Sequence, residues 1–123
     1  MIKNQKASPI IKDINKEEFQ SLINSNNLEL IDVRDKSEYE IIHFKNAKLI
    51  PFKQIMEKKD QIDSSKEVVF YCRTDQRSKM ASQLLHVGNR YNLEGGIKKY
   101  HGDPDFNDYI RVLKPEKIKA YFN

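Results

Sequence analysis

The stretch that most constrains this chain is Val68 to Ser78, written Val-Val-Phe-Tyr-Cys-Arg-Thr-Asp-Gln-Arg-Ser. An unbroken apolar run ends on the only cysteine, Arg73 and Arg77 follow, and apolar positions resume at Met80, Ala81, Leu84 and Leu85. A short apolar run reads as a buried strand, and the later spacing reads as a helix. The stretch is therefore strand, loop, helix. Main-chain N–H groups in the first turn of a helix lack intrahelical partners and converge on whatever stands in front of it. Such a loop favours negative charge. A thiolate at Cys72 gains further from guanidinium groups at Arg73 and Arg77, while Asp75 opposes it. A lone cysteine is more often an inert buried thiol. Here the flanking arginines and the strand-end position favour a reactive one.

The remaining sequence alternates strands and helices. After a loose, polar stretch at residues 1–8, Pro9 to Ile14 predicts an edge strand. Asn15 and Glu18 form a capping box, and Phe19, Leu22 and Ile23 give the following helix its apolar stripe, with an end expected near residues 24–27. Leu28 to Val33 predicts a strand. Asp35 with Glu38 repeats the capping-box spacing and predicts a short helix carrying Tyr39 and Ile42 on one face. Ala47 to Ile50 predicts a short strand, residues 53–62 a polar helix with Ile55, Met56 and Ile62 as its contacts, and residues 63–65 a loop. The helix from Ser78 to Val87 is stopped by Gly88-Asn89. Tyr91 to Leu93 then predicts a strand, Gly95-Gly96 a tight turn, and Ile97 to Tyr100 a helical turn. Beyond Gly102, Phe106, Tyr109, Ile110, Val112, Leu113, Tyr121 and Phe122 supply apolar surface to pack back on the domain. The alternation predicts an α/β layer structure with a mostly parallel sheet. In such sheets ligands sit beyond the carboxyl ends of strands, where Cys72 falls.

Composition narrows the function classes. A chain of 123 residues fits one domain, taken as residues 9–123. A single cysteine cannot form an internal disulfide, so a secreted disulfide scaffold is excluded and a reducing compartment expected. The net charge of +4 comes from scattered lysines, which favours anionic partners without predicting nucleic-acid binding. No apolar signal region and no run of membrane-spanning length is present, so a soluble cytoplasmic protein without membrane association is expected. His86 and His101 have no ligand-like spacing with each other or with Cys72, and no metal site is expected.

Three separated segments resemble one family, the rhodanese-like sulfurtransferases. Ile31-Asp32-Val33-Arg34 with Glu38-Tyr39 and His43 is similar to its first motif. Phe70 to Ser78 is similar to its active loop, and Tyr91-Asn92-Leu93-Glu94-Gly95-Gly96-Ile97 to its closing motif. The resemblance covers residues 28–101 and leaves 102–123 as an extension. It implies a three-layer fold of about five mostly parallel strands with helices on both faces. It also implies that Cys72 accepts a sulfane sulfur as a persulfide and passes it to an acceptor. No cofactor is implied beyond that covalent intermediate. The loop from Arg73 through Thr74, Asp75, Gln76 and Arg77 to Ser78 would then bind the donor, with Arg77 beside the persulfide and Arg73 as a further cation. The implied donor is a small anion such as thiosulfate or a persulfide-carrying protein, and the acceptor a sulfur-relay protein.

Cysteine phosphatases and arsenate reductases resemble this loop but place one more residue between cysteine and arginine; here position 78 is Ser. A rhodanese-fold binding module without turnover is the other competing class. Asp32 and Arg34 flank a strand end and predict an ion pair supporting the loop, and His43 predicts a structural hydrogen bond. Several positions depart from the family pattern. Asp75 stands where glycine is common, Tyr100 where tryptophan is common, and Ile42, Lys45 and Asn46 replace the residues of a Gly-His-Ile-Pro-Gly-Ala turn.

Overall fold

The computed structural model describes residues 12–85 and 89–123. The loose stretch at 1–8, the first residues of the edge strand, and His86, Val87 and Gly88 of the expected helix and its stop lie outside them.

Element order follows the apolar pattern. Strand β1 (Lys12–Ile14) leads into helix α1 (Lys16–Asn24), whose capping box forms as expected, with Glu18 N–H donating to Asn15 Oδ1 at 2.9 Å and Asn15 N–H to Glu18 Oε1 at 3.1 Å. Strand β2 (Leu28–Asp32), helix α2 (Lys36–Tyr39) and strands β3 (Ile42–Phe44) and β4 (Lys48–Leu49) follow. Strand β5 (Glu67–Tyr71), helix α3 (Gln76–Leu84), strand β6 (Arg90–Leu93) and helix α4 (Gly96–Tyr100) carry the two loop motifs. Strand β7 (Ile110–Val112) and helix α5 (Ile118–Phe122) complete the order.

The main sheet has five parallel strands in the order β1-β6-β5-β2-β4, with Leu28 opposite Glu67 and Asp32 opposite Tyr71 along its centre. β5 is buried on both faces, which is why its sequence is a continuous apolar run rather than an alternation. Val69 and Tyr71 face one core with Phe19, Leu30, Phe44, Tyr100 and Phe106. Val68, Phe70 and Cys72 face the other with Ile31, Val33, Ile55, Ala81 and Leu85. Helices on both faces therefore converge on the end of β5, where the cysteine sits.

Three local expectations are corrected. Residues 53–62 form two 3-10 turns, Phe52–Gln54 and Lys59–Gln61, rather than one helix. Only Ile55 and Ile62 are buried there and Met56 is exposed; without a further buried apolar residue between them, a short isolated helix has too little to dock. Ile42 and His43 lie in a strand, not on or at the end of α2. The buried face of α3 is Ser78, Ala81 and Ser82, followed by Leu85, while Met80 and Leu84 are exposed. Small side chains let α3 approach the sheet closely. Apart from the five-stranded sheet, β3 pairs with β7 in a separate antiparallel ribbon.

That ribbon accounts for the unusual residues at 42–47. Ile42 is fully buried and pairs with Val112. Lys45 donates its main-chain N–H to Tyr109 O at 2.8 Å, a bond that proline cannot make. Asn46 takes φ 63°, the left-handed turn conformation otherwise given to glycine.

Tyr100 packs edge-on against Phe106, with ring centroids 4.6 Å apart, but its buried hydroxyl has no hydrogen-bond partner among the described residues. Burial pushes its pKa up to about 12. Removing an unsatisfied buried hydroxyl is favourable, so Tyr100→Phe is expected to stabilise the protein by about 1 kcal/mol in a denaturant titration. A variant no more stable than wild type would show that the hydroxyl is satisfied after all.

Candidate active site

Cys72 leaves the end of β5 and is 2% exposed. Its Sγ lies 3.3 Å from Ser78 Oγ, in the first turn of α3. The Ser78 hydroxyl also sits 2.5 Å from Asn92 Oδ1 and 3.1 Å from Asp75 O. It has one proton and several acceptors, so it can turn that proton toward Sγ when the cysteine is ionised. Among the described residues, the main-chain N–H groups from Arg73 to Ser78 have no protein acceptor; Lys79 N–H is the first to bond back, to Asp75 O at 3.0 Å. Such a row of free N–H groups favours an anion.

The closing motif holds this loop in place. Ile97 N–H donates to Cys72 O at 3.0 Å and Lys98 N–H to Arg73 O at 3.1 Å. Gly95 N–H and Asn92 Nδ2 donate to Asp75 Oδ1 at 3.0 and 3.1 Å. Asn92 Nδ2 also reaches Asp13 Oδ1 at 3.0 Å. Asp75 is thus a strut between the loop and the β6–α4 turn, and its φ of −135° needs no glycine. Gly96 is required by contact: at φ 62°, a Cβ there would lie 2.5 Å from Arg73 O and closer still to Thr74 O.

Both loop arginines are engaged. Arg77 binds Glu38 through two parallel bonds, Nη1 to Oε1 at 2.6 Å and Nη2 to Oε2 at 3.0 Å. Burial works against the Glu38 charge, but Arg77, the Tyr121 hydroxyl and the Asp35 N–H outweigh it and hold the carboxyl at about 2. Arg77 in turn keeps its proton more tightly than usual, chiefly through Glu38 and partly through the cysteine's charge. Arg73 turns to the C-terminal helix, with Nε donating to Tyr121 O at 3.0 Å and Nη2 to Asn123 O at 3.2 Å. Its guanidinium lies 5.8 Å from the Tyr121 ring centroid.

Asp32 and Arg34 form the expected ion pair, Nη2 to Oδ2 at 2.7 Å, with both side chains fully buried. Burial opposes the Arg34 charge, and Asp32 more than restores it, so the guanidinium is held well above its ordinary value. Tyr71 hydroxyl donates to Asp32 Oδ2 at 2.6 Å, and burial beside that carboxylate pushes the phenol well up. His43 Nδ1 lies 2.8 Å from Tyr39 O, a carbonyl that can only accept, so this nitrogen carries the proton. Its ring stacks on Tyr39 at 3.8 Å, which makes it a brace. Thr74 packs its carbonyl against Gly96, and Gln76 is exposed at the start of α3. Glu38, Tyr71, Asn92 and Tyr121 were not picked out as site residues from sequence. The first three lie inside or beside the motifs; Tyr121 is 48 residues from Arg73 and carries no local signal. Among the described residues, no three potential ligand side chains cluster to hold a metal, and no helix is long and apolar enough to cross a membrane.

Cys72 thus stands at the end of a central strand of a parallel α/β sheet, in an N–H-rich loop backed by a two-glycine closing turn. The family model for the rhodanese-like domain matches residues 15–103, and the chain belongs to that family. An uncharacterized protein of Bacillus subtilis, YqhL, is 38% identical over 96 residues, covering 76% of this chain and 75% of that protein. A tRNA uridine(34) hydroxylase of Hamiltonella defensa is 34% identical over 114 residues, covering 85% of this chain but only 30% of its own length. Among solved structures, a rhodanese-like domain protein from Staphylococcus aureus superposes with a TM-score of 0.68 at 25% identity, covering 76% of this chain and 95% of that one. A rhodanese-related protein from Thermoplasma volcanium also gives 0.68, at 24% identity, covering 76% and 93%.

Two outcomes test how the loop is held. Gly96→Ala adds a left-handed Cβ and a clash with two carbonyls, and is expected to cost about 2–4 kcal/mol in chemical denaturation; a loss under about 0.5 kcal/mol would mean the loop yields freely. The Glu38 carboxyl is depressed to about 2 from an ordinary 4.5, so its contribution is complete above the unfolded value and is lost as pH falls toward 2. Glu38→Gln is expected to cost about 1–2 kcal/mol near neutrality, after allowing for screening, and to flatten the fall in melting temperature below about pH 5. Parallel pH profiles for the two proteins would refute a stabilising ion pair.

Proposed function

We propose that the protein is a sulfurtransferase in which Cys72 carries a sulfane sulfur. The observation that supports this reading is the loop itself: a thiol facing a serine hydroxyl and a run of free main-chain N–H groups, with four residues between Cys72 and Arg77. The thiolate attacks the outer sulfur of thiosulfate or of a persulfide. A new S–S bond forms at Cys72 while the donor's S–S bond breaks, and sulfite or the donor thiolate leaves with the electron pair. The terminal sulfur, partly anionic, is received by the loop N–H dipoles, which are already oriented and need no reorganisation. An acceptor nucleophile then attacks that sulfur and Cys72 departs as thiolate, returning the loop to its starting state. The exchange is balanced and uses no cofactor. Ser78 can steady both the thiolate and the persulfide by turning its proton.

Donor and acceptor belong to this reading by chemical class: a small anionic or protein-bound sulfane sulfur, and a thiol or other sulfur-accepting group on a relay protein. The tRNA uridine(34) hydroxylases are matched over 22% to 34% of their own length, so the reading rests on this loop and leaves hydroxylation with those proteins.

Intact-mass spectrometry after incubation with thiosulfate or a small-molecule persulfide is expected to show wild-type protein gaining the mass of one sulfur atom at Cys72. Cys72→Ala is expected to gain none and to transfer sulfur only at background rate. Wild-type protein that stays unmodified with every donor would sink the proposal.

A further inference from the structure

The loop's two arginines do not stand as free cations. Glu38 takes Arg77 through both carboxylate oxygens, and α5 takes Arg73 through Tyr121 O and Asn123 O. Beside Cys72, Arg77 is paired with the Glu38 carboxylate, Arg73 is drawn off to neutral carbonyls on the C-terminal segment, and Asp75 adds a negative charge to the loop itself. One layer deeper, Arg34 is matched by Asp32. A small dianion entering this loop therefore meets little net positive field, and paired charges at contact distance largely cancel beyond a few ångströms.

Tyr121 is the group these contacts share. Its hydroxyl donates to Glu38 Oε2 at 2.5 Å and accepts from Arg34 Nη1 at 3.0 Å. Its carbonyl takes Arg73 Nε at 3.0 Å. Its ring lies 5.8 Å from the Arg73 guanidinium and 5.7 Å from that of Arg34, within reach of cation–π attraction. One residue thus ties the two together: its hydroxyl fixes α5 to Arg34 and Glu38, and its carbonyl and ring, carried on the same helix, hold Arg73 away.

Building on the sulfur-transfer reading, we propose that Tyr121 sets the charge selectivity of the Cys72 loop: it anchors Arg73 to α5 and Glu38 to Arg77, so that the loop disfavours small dianions such as thiosulfate and suits thiol-borne persulfide sulfur. Tyr121 is a positioning residue in this scheme, acting through the arginines and not on the sulfur.

The test is the rate of Cys72 alkylation by iodoacetate, an anion, divided by the rate with neutral iodoacetamide. Both reagents consume the thiolate, so the ratio cancels ionisation and reports the field at sulfur. A merely structural tyrosine would leave it unmoved. Tyr121→Ala keeps the carbonyl but removes the hydroxyl bonds to Arg34 and Glu38 and the ring beside Arg73 that seat α5, so the carbonyls holding Arg73 are no longer fixed in place; it is expected to raise the ratio about 5-fold, the size of one partly screened charge. Adding Arg73→Gln to that variant is expected to bring the ratio back to the wild-type value. In otherwise wild-type protein, Arg73→Gln is expected to change the ratio less than about 2-fold, because its charge is already held elsewhere. An unmoved ratio in folded Tyr121→Ala overturns the proposal. So does a drop of about 5-fold in Arg73→Gln alone, which decides the matter even if Tyr121→Ala fails to fold. The result is separable from the sulfur-transfer reading: a protein that alkylates as expected yet never gains sulfur keeps the charge assignment and loses the activity.

Discussion

The buried Asp32–Arg34 pair is the interaction on which the site's architecture depends. Both side chains are fully buried, so each charge must be completely satisfied. The partners that satisfy them come from across the fold. Tyr71 at the end of β5 donates to Asp32, while Arg34 donates to Ile42 O on β3 at 2.5 Å and to the Tyr121 hydroxyl on α5 at 3.0 Å. Tyr71 hydroxyl in turn accepts from Phe44 N–H at 3.2 Å. Two adjacent strand ends, the β3–β7 ribbon and the C-terminal helix are thereby fixed to one point. A buried ion pair contributes little net stability over apolar packing, but losing one partner costs about 3–5 kcal/mol because the other charge is stranded. Its value here is registration: it determines where α5 lies, and hence where Arg73 and Glu38 are held.

The loop is clamped from the opposite side by the β6–α4 turn. Carbonyls of Cys72 and Arg73 accept from α4 amides, Asp75 accepts from Gly95 N–H and Asn92, and Gly96 permits the backbones to touch. These bonds consume the loop's outward carbonyls and leave its N–H groups without protein acceptors. The same geometry explains why aspartate replaces glycine at position 75. Its charge, which from sequence opposes the thiolate, is spent on the closing turn.

Much of this was legible in local signals. The capping boxes at Asn15–Glu18 and Asp35–Glu38, the apolar run into Cys72 and the Gly95-Gly96 turn each act within a few residues, and the parallel sheet follows from their alternation. Signals failed where a distant segment decides the outcome. Lys45 in place of proline has no local rationale until Tyr109, just before β7, accepts its N–H, and Ile42 has none until it pairs with Val112. On α3, hydrophobicity alone points to Met80 and Leu84 as the buried face, whereas close approach to the sheet selects Ser78, Ala81 and Ser82. Arg73 and Arg77 were legible as charges but not as engaged ones. Their partners lie 48 and 39 residues away, and neither spacing leaves a periodic trace.

Rigidity and charge balance in this loop have a common origin. An N–H cradle stabilises a thiolate or persulfide best when its dipoles are fixed beforehand, since no energy is then spent turning them as the reaction proceeds. Fixing a short exposed loop requires strong, directional bonds, and the ones available here are charged: Glu38 to Arg77, Arg73 to the Tyr121 carbonyl, Gly95 N–H to Asp75. The bonds that order the loop also engage both of the arginines that would otherwise draw an anion to it, Arg77 by a carboxylate and Arg73 by carbonyls. Freeing an arginine to attract a dianion therefore loosens the cradle that would hold the product. In this chain the main-chain dipoles bear the sulfur site, and the side-chain charges serve to keep them in place.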